Sequence, residues 1–222
     1  MWIERATSAH GQAIAAIYDE AARTTPATFD LEGHEPDWWA GVIATNAYPF
    51  VVALDGDVVG FARAAQHKAK PAYGTTCETS VYVAQRARGG GVGRALYDAL
   101  LAQLDPAPGL LLAVAGITEP NPASVALHAG CGFTPVGTFH NVGEKLGRTW
   151  DVTWYERRLG LCSSCVHQKL VRSGRGSTFS MCLRHRTEPE RYPKYPPLPV
   201  RSCPGHEPRD GHSILSGAVS TR

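Results

Sequence analysis

The chain has 222 residues, 43% of them apolar, with 22 Lys and Arg against 20 Asp and Glu. That content is enough to bury a core and excludes wholesale disorder, and no run approaches the about 18 apolar residues of a membrane span. The charge is divided along the chain: residues 1–159 carry 12 basic and 16 acidic side chains, and residues 160–222 carry 10 and 4.

Residues 1–11 lack the basic lead and apolar core of a secretory leader, so a cytoplasmic protein with reduced cysteines is expected. Trp2-Ile3-Glu4-Arg5 predicts a short strand. Thr7 or Ser8 can cap the next helix, where Ile14, Ile17 and Tyr18 recur at helical spacing. Residues 35–46 predict a second helix with Pro36 in its first turn. Phe50-Val51-Val52-Ala53-Leu54 and Val58-Val59-Gly60-Phe61 flank Asp55-Gly56-Asp57, the pattern of a hairpin. Glu78-Thr79-Ser80-Val81-Tyr82-Val83 is β-branched and aromatic, hence a strand. It leads through Arg88-Gly89-Gly90-Gly91-Val92-Gly93-Arg94 into a helix with Leu96, Tyr97, Leu100, Leu101 and Leu104 on one face. Residues 110–115 read as a buried strand, and 122–130 as a short helix with Asn121 as cap and Pro122 first. Two more strands fit near 133–142 and 149–158. The order β-α-α-β-β-β-α-β-α-β-β predicts an α/β (α+β) fold, a mixed sheet with helices on both faces.

A strand that ends in a glycine-rich turn and opens a helix is built to receive an anion. Glycines let backbone N–H groups approach a phosphate, and the helix N-terminus adds partial positive charge. Arg88 and Arg94 flank this turn. It lacks the Gly-Lys-Ser/Thr of a Walker loop. A dinucleotide fingerprint is also disfavoured, because two helices and a hairpin precede the turn and residues 108–116 hold no acid.

These residues carry a resemblance. Arg88-Gly89-Gly90-Gly91-Val92-Gly93 matches the Gln/Arg-x-x-Gly-x-Gly/Ala signature of the GNAT superfamily of acyl-CoA-dependent N-acyltransferases, and the element order is that of the superfamily. Ala27-Thr28-Phe29-Asp30, Lys68-Ala69-Lys70-Pro71-Ala72-Tyr73, the Glu78–Val83 strand and Asn121-Pro122-Ala123-Ser124-Val125-Ala126-Leu127-His128 resemble its phosphinothricin N-acetyltransferase-like branch. The likeness covers roughly residues 1–158. It implies acetyl-CoA as co-substrate, with its pantetheine arm on the backbone of Val81 and Val83. It further implies a pyrophosphate held by Arg88, Gly89, Gly90, Gly91, Val92, Gly93 and Arg94, and a contact from Asn121. The amine then attacks the thioester directly, so the protein must orient the reactants and remove a proton.

By the same resemblance Glu78 is the general base, acting directly or through a water. Burial beneath Tyr82 and Phe61 would raise its pKa, as a base needs. Tyr82 itself is expected to pack. His128 stands where the branch has a histidine proposed to assist; the same residue on an apolar helix face also suits a satisfied core histidine. Phe29, Lys68, Lys70 and Tyr73 match positions that line an amino-acid pocket, and two lysines suit an anionic substrate group. A solvated basic hairpin end is the other reading of those lysines. Trp150 replaces the histidine usual in phosphinothricin-specific enzymes, which leaves methionine sulfone, methionine sulfoximine or another small amino acid equally open. The expected partner is a small-molecule amine, with no membrane and no specific nucleic acid; a homodimer is left open.

The rest of the chain reads as a separate module over residues 160–210, ahead of a frayed tail at 211–222 and behind a 1–159 acetyltransferase domain. It holds Cys162, Cys165, Cys182 and Cys203 and seven of the 16 prolines. The stretches around 166–172 and 177–183 suggest a hairpin that folds Cys182 back beside the Cys162-x-x-Cys165 turn. Four thiols with one close pair suit a tetrahedral structural Zn²⁺, with an iron–sulfur cluster as the alternative ligand. So short a segment with little aliphatic core would need such a staple. Two functions compete on these grounds. One is a small-molecule N-acetyltransferase; the other is a weakly catalytic acyl-CoA-binding protein whose zinc module docks a protein or nucleic-acid partner.

Overall fold

The computed structural model describes residues 1–174 and 178–208, so the segment read as a frayed tail lies outside the described residues. The chain runs β1 (Trp2–Arg5), α1 (Gly11–Thr24), α2 (Pro36–Thr45), β2 (Phe50–Asp55), β3 (Asp57–Gln66), β4 (Thr76–Val83), α3 (Val92–Leu104), β5 (Leu112–Glu119), α4 (Pro122–Gly130), β6 (Thr134–Lys145) and β7 (Arg148–Arg158). Beyond these lie α5 (Leu161–Ser164), β8 (Gln168–Arg172) and β9 (Thr178–Cys182). Through β7 the order of helices and strands is the expected one. Helix α1 starts later than the capping residues suggest: a 3-10 turn at Ser8–His10 comes first, with His10 Nδ1 accepting the Thr7 N–H at 3.0 Å.

Seven strands form one sheet in the order β1-β2-β3-β4-β5-β7-β6. All neighbours are antiparallel except β4 and β5. Alternation along the strands divides the core in two. One face carries Val51, Ala53, Cys77, Ala113 and Ala115 against Leu96, Tyr97, Leu100, Leu101 and Leu104 of α3. The other carries Phe50, Val52 and Phe61 against Ile14, Ile17 and Tyr18 of α1 and Trp39 of α2. A 3.6-residue apolar stripe packed on a period-2 sheet face yields such a layering.

The parallel pair is short. Thr76, Cys77 and Glu78 face Leu112, Ala113 and Val114, and there the register ends. Strand β4 continues to Val83 beside β3, and β5 continues to Glu119 beside β7. The two inner strands therefore part after Glu78 and leave a V-shaped opening in the middle of the sheet.

Residues 160–208 dock on the end of this body. Asp105, next after α3 and 1% exposed, accepts two Arg157 guanidinium hydrogens at 2.7 and 2.9 Å and the Gly160 N–H at 3.2 Å. Its carbonyl accepts from Arg201 Nη1 at 2.8 Å, and Leu161 N–H reaches the Val200 carbonyl at 2.8 Å. The expected hairpin is present as the β8–β9 ribbon, with Gln168 opposite Cys182. Among the described residues beyond Gly160, the buried apolar side chains are Cys165, Met181 and Tyr192. No helix among the described residues is long and apolar enough to cross a membrane.

Candidate active site

A cavity of about 920 Å³ follows the opening between β4 and β5. Its walls include Glu78 to Val83 of β4, Gly116 to Thr118 of β5, the glycine turn, and Asn121, Ser124, Leu127 and His128 at α4. Beyond Glu78 the edge of β4 that faces β5 has no strand partner. An extended ligand with amide groups can pair there as an added strand does. Val81 and Val83 both line this edge.

At one end lies the N-terminus of α3. Gly91 precedes the helix with φ of +80°, a conformation that costs an L side chain, so glycine sets the turn. Arg88, Gly89, Gly91, Val92, Gly93 and Arg94 line the cavity; Gly90, expected with them, does not. Both arginines are steered by protein partners. Arg88 Nε donates to the Val83 carbonyl at 3.0 Å, and Arg94 Nε donates to both Asp98 oxygens at 2.9 Å. Asn121 caps α4, its Oδ1 accepting the Ser124 N–H at 3.1 Å.

His128 is both a core histidine and a cavity residue. It is 4% exposed, ringed by Tyr97, Phe133 and Tyr155, and yet forms part of the cavity wall. Its Nδ1 lies 2.8 Å from the Ser124 carbonyl, which can only accept, so Nδ1 carries the hydrogen. In the neutral ring Nε2 then accepts from the Tyr97 hydroxyl at 2.8 Å. Burial pushes its pKa below the usual histidine value, which favours that neutral form.

Glu78 sits at the apex of the opening as the last residue of the parallel pairing. Its surroundings differ from those expected. It is not enclosed beneath Tyr82 and Phe61: the side chain is 42% exposed, and Oε2 lies 3.1 Å from His67 Nδ1. Tyr82 stacks on Phe61 and meets Tyr18 edge-on, a packing role as expected, while also lining the cavity. Distance along the strand explains the separation: Glu78 and Tyr82 share a face of β4 but lie four residues apart, so Glu78 pairs across β3 with Ala65 whereas Tyr82 pairs with Phe61.

The expected substrate residues divide. Phe29 lines the cavity and packs so tightly on Gly143 that a Cβ there would lie 2.5 Å from its ring. Lys68, Lys70 and Tyr73 are exposed on the β3–β4 connection and are not part of the wall. Tyr73 meets the site only through His67, whose ring centroid is 6.0 Å away. Trp150 also lies off the wall; its Nε1 donates to the Lys145 carbonyl and Arg148 covers its ring at 3.5 Å. The residues that sequence reasoning missed include Thr28, Phe139, Val142, Val152 and Trp154, which also line the cavity. Alternation along β7 could have pointed to Val152 and Trp154 as one face; the others leave no signal. Lys145, 5% exposed, anchors the Phe29 segment by donating to the Thr28 and Asp30 carbonyls at 2.7 Å each.

Cys162, Cys165, Cys182 and Cys203 line one small cavity of about 20 Å³, with His167, Met181 and His206. The thiols are near enough that Cys162, raised first by burial and then by the other three, is pushed up to about 11. They are gathered without being closed into a ligand set. Among the described residues, no three His, Cys, Asp or Glu side chains form a ready metal group.

Three comparisons agree with this geometry. The model of the acetyltransferase (GNAT) family matches residues 14–133. A phosphinothricin N-acetyltransferase of Streptomyces coelicolor is 45% identical over 150 residues, which cover 64% of this chain and 87% of that protein. An L-methionine sulfoximine/L-methionine sulfone acetyltransferase of Pseudomonas aeruginosa is 36% identical over 153 residues, 66% of this chain and 87% of that one. Among solved structures, a phosphinothricin acetyltransferase of Sinorhizobium meliloti in complex with AcCoA superposes with a TM-score of 0.67 at 33% identity, covering 72% of this chain and 88% of that one.

Proposed function

The chain belongs to the acetyltransferase (GNAT) family and is an acetyl-CoA-dependent N-acetyltransferase; from that premise we propose that it acetylates the primary amine of a small amino-acid-like substrate. Phosphinothricin, methionine sulfone and methionine sulfoximine are the named chemistries of its relatives. The observation that carries this reading is the opening of the sheet after Glu78, which sets one carboxylate at the apex of a cavity that ends on a glycine-led helix N-terminus.

The roles follow from those positions. Backbone groups of Val81 and Val83 hold the pantetheine arm, while Arg88, Gly89, Gly91, Val92, Gly93 and Arg94 receive the pyrophosphate. Asn121 and His128 bound the cofactor on the α4 side. A primary amine near neutral pH arrives mostly as ammonium and must lose a proton before its lone pair can attack the thioester carbon. Glu78 takes that proton. A second proton leaves nitrogen as the amide forms, and the departing thiolate accounts for one proton taken up. Everything else the site supplies is orientation and exclusion of water. The apolar wall of Phe29, Phe139, Val142, Val152 and Trp154 fits the acceptor's side chain.

For residues 160–208 we infer a structural module with one Zn²⁺ held by Cys162, Cys165, Cys182 and Cys203. The donor set fits zinc, with an iron–sulfur cluster as the alternative for four thiolates. Metal analysis of the purified protein separates the two, since zinc leaves it colourless and a cluster colours it brown.

The test of the enzymatic reading is release of the CoA thiol from acetyl-CoA with phosphinothricin, methionine sulfone, methionine sulfoximine and the common amino acids. Turnover with at least one of these amines is expected. Acetyl-CoA binding without turnover on any amine would favour the binding-protein alternative, and loss of both would overturn the reading.

A further inference from the structure

His67 lies on no motif and outside the cavity wall, yet its ring stands within hydrogen-bond distance of the carboxylate at the apex. Nδ1 stands 3.1 Å from Glu78 Oε2, and since an ionised carboxylate only accepts, Nδ1 carries the hydrogen whether the ring is neutral or charged. The ring is held in that pose. Its side chain is 16% exposed, and the faces of Tyr73 and Trp154 meet it edge-on at 6.0 and 5.7 Å. Trp154 in turn lines the cavity. The β4 backbone fixes one end of the pair and the β3–β4 connection the other, so the carboxylate cannot rotate away without losing a charge-assisted bond.

We propose that His67 is the positioning residue of Glu78. Its Nδ1–H holds one carboxylate oxygen so that the other faces the substrate amine, and it stabilises the ionised form that must accept the proton. The proposal rests on the reading of Glu78 as base. Of a carboxylate 42% exposed at a widening strand junction, such a fixed donor is what preorganisation requires.

Other charges face the same pair. Arg63 is two residues from Ala65, the β3 partner of Glu78, but its guanidinium lies 5.3 Å from the Trp39 ring centroid. Glu156 of β7 is two strands away, across Val114. Lys68, Lys70 and Tyr73 belong to the same connection as His67, and Tyr82 shares the face of β4. Among these groups His67 is the one hydrogen-bonded to the carboxylate.

The experiment is the pH dependence of kcat/KM in the full-length protein for two polar variants. His67→Asn places an amide N–H about where Nδ1 stood; His67→Gln places it where Nε2 stood. The Gln variant should lose about tenfold to a hundredfold in kcat/KM, and its acid limb should move to higher pH, because an ionised acceptor has lost its donor. The Asn variant should recover most of the rate and the original limb. Acetyl-CoA affinity should be unchanged in both, which also reports correct folding. A Gln variant with rate and limb unchanged, or Asn and Gln variants shifted equally, would overturn the proposal. Glu78→Gln separates the two readings: if that variant keeps full activity, the base assignment fails, whereas a crippled Glu78→Gln beside an unaltered His67→Gln removes His67 alone.

Discussion

Residues 1–159 and residues 160–208 are ordered by different means. In the first, two apolar clusters on opposite faces of the sheet bury whole helix faces, and the functional opening is a local failure of strand pairing inside that support. In the second, Cys165, Met181 and Tyr192 are the buried apolar side chains among the described residues; the rest is a two-stranded ribbon, a cluster of thiols and polar anchorage to Asp105. A body with surplus burial can leave a cleft open at its centre. A segment without it depends on specific polar groups.

The largest perturbation expected is at the point where the two parts meet. Asp105→Ala leaves the buried Arg157 charge with only the Cys131 carbonyl as acceptor and removes the acceptor of Gly160, so equilibrium unfolding should show a loss of about 3–5 kcal/mol. A loss within a few tenths of a kcal/mol would mean the two parts are not coupled there. Chelation comes next. On the zinc proposal, a chelator should abolish hydrogen-exchange protection in the β8–β9 ribbon while β2 and β3 keep theirs and acetyl-CoA still binds. Equal loss in both regions would erase the distinction between them.

Smaller effects are confined to the first region. Gly91→Ala forces a side chain into the positive-φ region at about 1–2 kcal/mol, which should raise KM for acetyl-CoA while leaving KM for the amine unchanged. The smallest is a pH effect from His128. Its pKa in the folded state lies below the unfolded value near 6.5, so above that pH both states are neutral and nothing is lost. As pH falls below 6.5 the unfolded chain gains a proton that the folded chain resists, and stability declines. His128→Asn should flatten that decline in a series of thermal melts.

Much of this organisation is legible in the residues alone. Period-2 and period-3.6 patterns locate the strands and helices through β7, and the turn Arg88–Arg94 is readable because glycine and a following amphipathic helix have few other uses together. Position along the chain says less about direction in space. Lys68 and Lys70 are near Glu78 in sequence, but the 67–75 connection turns them to solvent, and Glu78 and Tyr82, two alternations apart on one strand, meet different neighbours. His67 and Trp154 meet beside the apex from different elements, and no spacing rule links them. The Cys-x-x-Cys pair announces a cluster, and the structure gathers all four cysteines round one cavity.

The most direct measurement is kcat/KM for acetyl transfer to the best amine as a function of pH, for the natural enzyme and Glu78→Gln. Loss of the carboxylate should lower the rate at neutral pH by about 10²–10⁴, with the deficit shrinking at high pH as the amine deprotonates in solution, and acetyl-CoA affinity should be unaltered. An unchanged rate with an unchanged pH profile would contradict the placement of the proton acceptor at the apex of the opened sheet.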